Sequence, residues 1–274
     1  MTHVSILNIA AYKFVALDDL PELRIALLDS ALALGLRGSV LLAPEGINLF
    51  LAGEPAHVEA FLSRLTADPR FADLHCKRSY SREQPFNRML VKIKKEIIAF
   101  GRPDIDPASA PAPRISPQQL KTWLDSGRKV TLLDTRNDYE VKLGTFAGAR
   151  DLGLKHFRDF PQAVASNAEC FGDETIVTFC TGGIRCEKAA PFLIKNGFRD
   201  VYQLDGGILA YFEQCGGAHF EGECFVFDRR VGLDANLEET GTVQCFACLS
   251  PLTPEEQKLP TYVPDISCPH CATA

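Results

Sequence analysis

The chain has one tryptophan, two methionines and six scattered histidines among its 274 residues, and no apolar run of membrane-spanning length. The histidines form no ligand cluster, so an imidazole-built metal centre is not expected. No facial metal triad and no flavin or nicotinamide fingerprint can be found. Internal repeats and low-complexity tracts are also missing, which removes solenoids and disordered arrays from consideration. The opening residues Met1-Thr2-His3-Val4 carry no basic segment leading into an apolar stretch. Their pattern predicts a cytoplasmic protein with no membrane partner.

What is present is ample core material and an unusual number of thiols. At 46% hydrophobic, the composition supports two compact domains. The ten cysteines, placed in a reducing compartment, are expected to serve catalysis or metal binding more than disulfides. Net charge is −6, which argues against wholesale nucleic-acid binding. The charge is uneven, however. Residues 77–102 hold eight basic residues against two acids, among them Lys92, Lys94 and Lys95. Such a stretch is either a solvated surface or a local face for phosphates.

Two α/β domains follow from the patterning. An apolar strand at 4–10 precedes a helical stretch at 20–34, and two strands flank the Pro44-Glu45-Gly46 turn. A helix from Pro55 and a closing strand at 90–98 complete a β-α-β-β-α-β order over residues 1–100. That order predicts a ferredoxin-like or acylphosphatase-like domain of α+β type. Residues 101–114 contain Pro103, Pro107, Pro111 and Pro113, the composition of a stiff linker. Beyond it, Ser116 and Pro117 open a helix. The apolar runs 130–134, 175–179 and 201–204 then alternate with helical segments over 115–220. Alternation of this kind predicts a parallel sheet. Residues 221–274 form a cysteine-rich tail with little periodicity. Trp123 and most of the eighteen phenylalanines read as core residues.

The most informative stretch is Phe179-Cys180-Thr181-Gly182-Gly183-Ile184-Arg185-Cys186. It reads as strand, tight loop, helix, with a thiol at the carboxyl end of a central strand, where open α/β sheets bind ligands. Gly182 and Gly183 let the loop amides converge on one anionic centre, which is the substrate-binding expectation for these residues. The helix N-terminus and Arg185 stabilise a Cys180 thiolate. The spacing is C-x4-R, one residue shorter than a phosphate-cradling phosphatase loop. A loop that tight suits a sulfur-sized substituent. Cys180 is therefore the candidate nucleophile and Arg185 its electrostatic partner. Cys186, in the first helical turn, is either a resolving thiol or a packed core residue. Cys224 lies in Gly222-Glu223-Cys224-Phe225-Val226-Phe227-Asp228 and is expected to pack, while Cys76, Cys170 and Cys215 carry no spacing signal.

A second cysteine pattern lies in the tail. Cys245-x2-Cys248-x19-Cys268-x2-Cys271 has the spacing of a four-thiolate structural zinc site. His270 could substitute for one ligand. Four thiolates leave no open coordination position, so catalysis is not expected there.

Residues 115–216 resemble a rhodanese domain through Leu133-Asp134-Thr135-Arg136-Asn137-Asp138-Tyr139-Glu140, Gly144-Thr145-Phe146-Ala147-Gly148-Ala149, the Cys180–Arg185 loop and Leu204-Asp205-Gly206-Gly207-Ile208. One departure is Thr145, where many rhodaneses have histidine. With Ala43-Pro44-Glu45-Gly46-Ile47-Asn48 and the segment 222–228, the whole chain is similar to bacterial tRNA wobble-uridine hydroxylases that carry a rhodanese domain. The resemblance implies tRNA as substrate, molecular oxygen as co-substrate and 5-hydroxyuridine at tRNA position 34 as product. Two roles for Cys180 stay open. It could attack C6 of uracil, or it could carry a persulfide or sulfenate that Cys186 resolves, with a sulfur donor or reductant as partner. The competing functions are a sulfurtransferase for a small or protein acceptor and a non-enzymatic RNA-binding module.

Overall fold

The computed structural model describes residues 5–272 apart from 168, 170, 172 and 173, so Val4 and Cys170 lie outside the described residues. The chain divides into two compact units, Met1–Ala99 and Phe100–Ala274. Among the described residues no helix is long and apolar enough to cross a membrane.

Alternation along the strands builds the first unit. Strands β1 (Ile6–Phe14), β2 (Arg37–Ala43), β3 (Gly46–Gly53), β4 (Cys76–Ser81) and β5 (Met89–Ile93) form one sheet in the order β4-β1-β3-β2-β5. Only the β2–β5 pair is parallel. Period-two side chains put Leu7, Ile9, Val40, Leu42, Leu49, Leu51 and Val91 on one face. Against them pack Leu27 and Ala31 of α1 (Leu20–Ala33) and Val58, Phe61 and Leu65 of α2 (Pro55–Thr66). Gly35 ends α1 with φ +64°, the left-handed stop expected of it.

The order of elements is β-α-β-β-α-β-β, one strand more than the sequence predicts. The strand that closes the motif is β4, whose sequence Cys-Lys-Arg-Ser-Tyr-Ser is polar because it is an edge strand with a single neighbour. The stretch read as the closing strand is β5, and it stops at Ile93. Beyond it the chain is tied by side chains: Ile97 donates its N–H to Glu45 (2.7 Å), and Asn48 donates to the Ile97 carbonyl (3.2 Å).

The second unit is built on a parallel sheet. Strands β6 (Arg114–Ile115), β7 (Val130–Asp134), β9 (Arg150–Asp151), β10 (Thr175–Phe179) and β11 (Val201–Leu204) lie in the order β6-β11-β10-β7-β9. Every pairing is parallel. Central β10 is buried along its whole length, with Ile176, Val177 and Phe179 in the core and the Thr178 hydroxyl donating to the Tyr202 carbonyl. Helix α3 (Pro117–Asp125) is capped by Ser116, which accepts from the Gln119 N–H. It packs with α7 (Gly207–Cys215) on a core of Leu120, Val177, Ile208, Tyr211 and Phe212. Helices α5 (Phe160–Ser166) and α6 (Cys186–Lys195) contribute Phe160 and Phe192 to an aromatic cluster.

The proline-rich stretch is not a free spacer. Phe100 stacks on Phe157 and meets Phe192 edge-on, Ile105 and Ala112 are buried, and Lys195 binds Asp104 at 2.8 Å. Proline stiffens this segment against the second unit. The short helix α4 (Asp138–Val141) leads to β8 (Gly144–Phe146), against which β12 (Phe220–Gly222) pairs. A hairpin of β13 (Cys224–Phe225) and β14 (Gly232–Leu233) follows. The tail ends in β15 (Val243–Gln244) and β16 (Pro251–Leu252), which pair beside the cysteine cluster.

Candidate active site and metal centre

Cys180 follows the last residue of β10 and is almost wholly buried. Its sulfur accepts the Gly183 N–H at 3.1 Å. This closure needs Gly183, whose φ is +100°. The loop is held from behind by α7: the Ile208 and Leu209 N–H groups donate to the carbonyls of Cys180 (3.0 Å) and Thr181 (3.1 Å). With two loop carbonyls turned outward, the amides are left for the sulfur. Gly207 makes that approach possible, since a Cβ there would stand 2.4 Å from the Cys180 oxygen.

Arg185, at the entry to α6, is 6% exposed, and Glu140 of α4 grips it in two contacts, Nη1–Oε1 at 3.1 Å and Nη2–Oε2 at 2.9 Å. Glu140 also accepts the Asn137 N–H. Burial pushes the Glu140 carboxyl above its ordinary range, opposed by Arg185 and Arg136. A second buried pair supports this one. Arg136 binds Asp134 through Nε and Nη2 and reaches the Gly144 carbonyl, and Thr145 donates to Asp134 at 2.8 Å. Thr145, the departure from the rhodanese pattern, therefore serves the Asp134 anchor.

Burial opposes ionisation of Cys180. The Cys186 thiol hydrogen bond, the Arg185 charge and the Arg185 and Gly183 amides outweigh it and bring the thiol down to about 5. Cys186 is fully buried at the start of α6 with its sulfur against Cys180 and 3.8 Å from the Thr135 hydroxyl. Burial and the neighbouring Cys180 raise its thiol well above the ordinary value. Cys224 is also fully buried, and burial pushes its thiol up to about 12, so it packs as an inert core residue. Its strand nevertheless covers the loop, because Thr181 donates to the Phe225 carbonyl at 3.1 Å and Phe227 lies against Arg185.

Glu140, Asp134, Arg136 and Phe227 have no role that a local motif announces. Four charges within the seven positions 134–140, at the end of an apolar strand, were the available signal, since such charges persist in a core only when paired.

Lys92, Lys94 and Lys95 are exposed at and just beyond β5 in the first unit. Lys77 and Arg78 lie on β4 and Lys92 on β5, at opposite edges of the sheet, because three strands separate them. Arg78 is paired with Glu59 and Arg102 with Asp104.

The tail cysteines converge. Cys245, Cys248, Cys268 and Cys271 place their sulfurs within 4.8 Å of one another, with separations of 3.5, 3.7 and 3.9 Å for three pairs. A tetrahedral ion with about 2.3 Å metal–sulfur bonds requires about 3.8 Å between sulfurs, so the four fit a metal ion. His270 is turned to Glu256 at 2.8 Å instead.

A strand-loop-helix cysteine with its arginine, on a five-stranded parallel sheet, defines the second unit as rhodanese-like. Family models agree: an UPF0176 acylphosphatase like domain matches residues 6–97 and a rhodanese-like domain matches 116–214. The solution structure of a rhodanese-like domain from Anabaena sp. is 24% identical with a TM-score of 0.35, covering 40% of this chain and 79% of that one. Over the full length, the tRNA uridine(34) hydroxylase of Cupriavidus necator is 53% identical across 98% of this chain and 97% of its own. That of Burkholderia lata is 49% identical across 99% of both. The chain belongs to the tRNA uridine(34) hydroxylase family.

Proposed function

We propose that this chain hydroxylates C5 of uridine 34 in tRNA, with the Cys180 thiolate as the nucleophile that activates the base. The supporting observation is the Cys180 sulfur held by the Gly183 N–H beside the Arg185 charge. Uracil C5 is a weak nucleophile until something adds to C6. A carbon–sulfur bond from Cys180 to C6 makes C5 part of an enolate. Arg185 and the loop amides of Gly182 and Gly183 offset the developing charge. C5 then takes one atom of molecular oxygen, and the other leaves as water with two protons and two electrons from an external thiol-class reductant. Loss of the C5 proton expels the Cys180 thiolate and restores the ring as 5-hydroxyuracil.

A second reading is favoured by the Cys186 sulfur lying against Cys180. In it a peroxide oxidises the Cys180 thiolate to a sulfenate and leaves as water, the Cys186 thiol displaces the sulfenate oxygen as a second water to form a disulfide, and an external thiol-class reductant opens that disulfide to restore the thiolate. The four tail cysteines would hold zinc in a closed site that orders the segment and takes no part in the reaction. Lys92, Lys94 and Lys95 would contact tRNA phosphates, and the setting is cytoplasmic.

Nucleoside mass spectrometry of tRNA from cells lacking the protein, complemented with wild type or Cys180→Ser, tests the thiolate. Undiminished hydroxyuridine with Cys180→Ser would remove it from the mechanism, and loss with a folded Cys186→Ser would favour the resolving role. Charge reversal at the three lysines should weaken tRNA binding and flatten its salt dependence. Indifference to salt and to those changes would favour a sulfurtransferase.

A further inference from the structure

The segment 222–228 contributes no group to the chemistry above, yet it leaves a large aromatic ring at the site. Phe227 is 46% exposed. One side of its ring faces the Arg185 guanidinium, 5.4 Å from the centroid. It continues an edge-to-face ladder in which Tyr139 meets Phe225 and Phe225 meets Phe227, each at 5.3 Å. The backbone beneath is rigid. Thr181 of the catalytic loop holds the Phe225 carbonyl, the Val226 N–H donates to Val231 (2.8 Å), and Asp228 binds Arg230 in a nearly buried pair.

An exposed apolar ring is unremarkable alone. This one meets Phe225 edge-on, rests on the cation that activates Cys180, and keeps nearly half its surface open. Enzymes acting on a base in a folded nucleic acid take it out of its stack and hold it against aromatic side chains. Unpaired loop bases are recognised in the same way. We propose that Phe227 is the platform on which the unpaired target pyrimidine stacks while its C5–C6 edge is presented to the Cys180 loop. The inference deepens the reading of Cys180 as the reacting group and rests on it. Phe227 is on this view a substrate-binding residue, and Arg185 keeps its alignment through Glu140.

The test uses the full chain with an anticodon stem-loop RNA carrying 5-iodouridine at position 34. Irradiated with the Cys180→Ser protein, the base should crosslink to the peptide containing Phe227. In turnover assays Phe227→Ala should lower kcat/KM on the order of 10- to 100-fold, from the loss of one base–aromatic stack. Phe227→Trp should stay within a few-fold of wild type, and Phe227→Leu should resemble alanine. Alkylation of Cys180 at neutral pH should proceed at the wild-type rate in Phe227→Ala, showing an intact loop. Crosslinking elsewhere, wild-type turnover by Phe227→Leu, or an altered alkylation rate in Phe227→Ala would overturn the proposal and leave Phe227 as a cover for Arg185. Full activity of Cys180→Ser would sink the thiolate mechanism, while the crosslink still decides the platform.

Discussion

At the scale of single residues, charge is arranged to make one sulfur anionic inside a core. Cys180 ionises because donors and a cation outweigh its burial, and Arg185 is the one full positive charge among the named causes. Alkylation of Cys180 by a small reagent follows the thiolate. It should therefore be flat at neutral pH and fall only as the pH drops toward about 5. Arg185→Gln should move that fall to higher pH, which a stopped-time alkylation series read by mass spectrometry will show. Glu140 has the opposite duty. It carries the counter-charge for a guanidinium that has almost no access to water. Glu140→Gln leaves that guanidinium poorly compensated, and removing one partner of such a pair costs about 3–5 kcal/mol. Urea unfolding should show a loss of that order.

At the scale of elements, the site is a junction of three N-terminal ends. The loop before α6 supplies the amides, the start of α7 fixes the loop carbonyls, and α4 presents Glu140. The tightest point is Gly207, which combines φ +65° with the 2.4 Å approach of a would-be Cβ to the Cys180 oxygen. Gly207→Ala should destabilise the second unit by about 1–3 kcal/mol or more, since both the dihedral and the contact are violated. Thermal denaturation measures the loss, and Cys180 alkylation should slow as the amides lose their aim. Both glycine-containing pieces of this junction stand out in the sequence, but their mutual hydrogen bonds do not, because they pair residues 28 positions apart.

At the scale of the whole molecule, the tail has a core of its own built on Leu252, Cys245 and Cys268, too small to hold 30 residues without help. Zinc bound to the four thiolates would supply the missing stability. Metal analysis of protein purified without added zinc should give one ion per chain. A strong chelator should release it and make residues 242–272 cleavable by protease, while the thermal transition of the rest persists. Persistent resistance after complete metal removal would show that the tail orders without it.

The sequence alone carried the alternation of strands and helices, the thiol at the end of a buried strand, and the spacing of two cysteine pairs. Each depends on local order: periodicity, turn chemistry and ligand spacing are written within a few residues. It did not carry β4, because an edge strand has one neighbour and needs no apolar signature. It suggested one basic stretch, and the strand order sent its members to opposite edges. Nor did it reveal that Glu140 answers Arg185 across 45 positions, or that Cys186 turns toward Cys180. The direction of a side chain and the identity of a distant partner are set when the sheet is assembled. Only the tertiary structure therefore decided how the Cys180 charge is balanced and that Phe227 stands against Arg185.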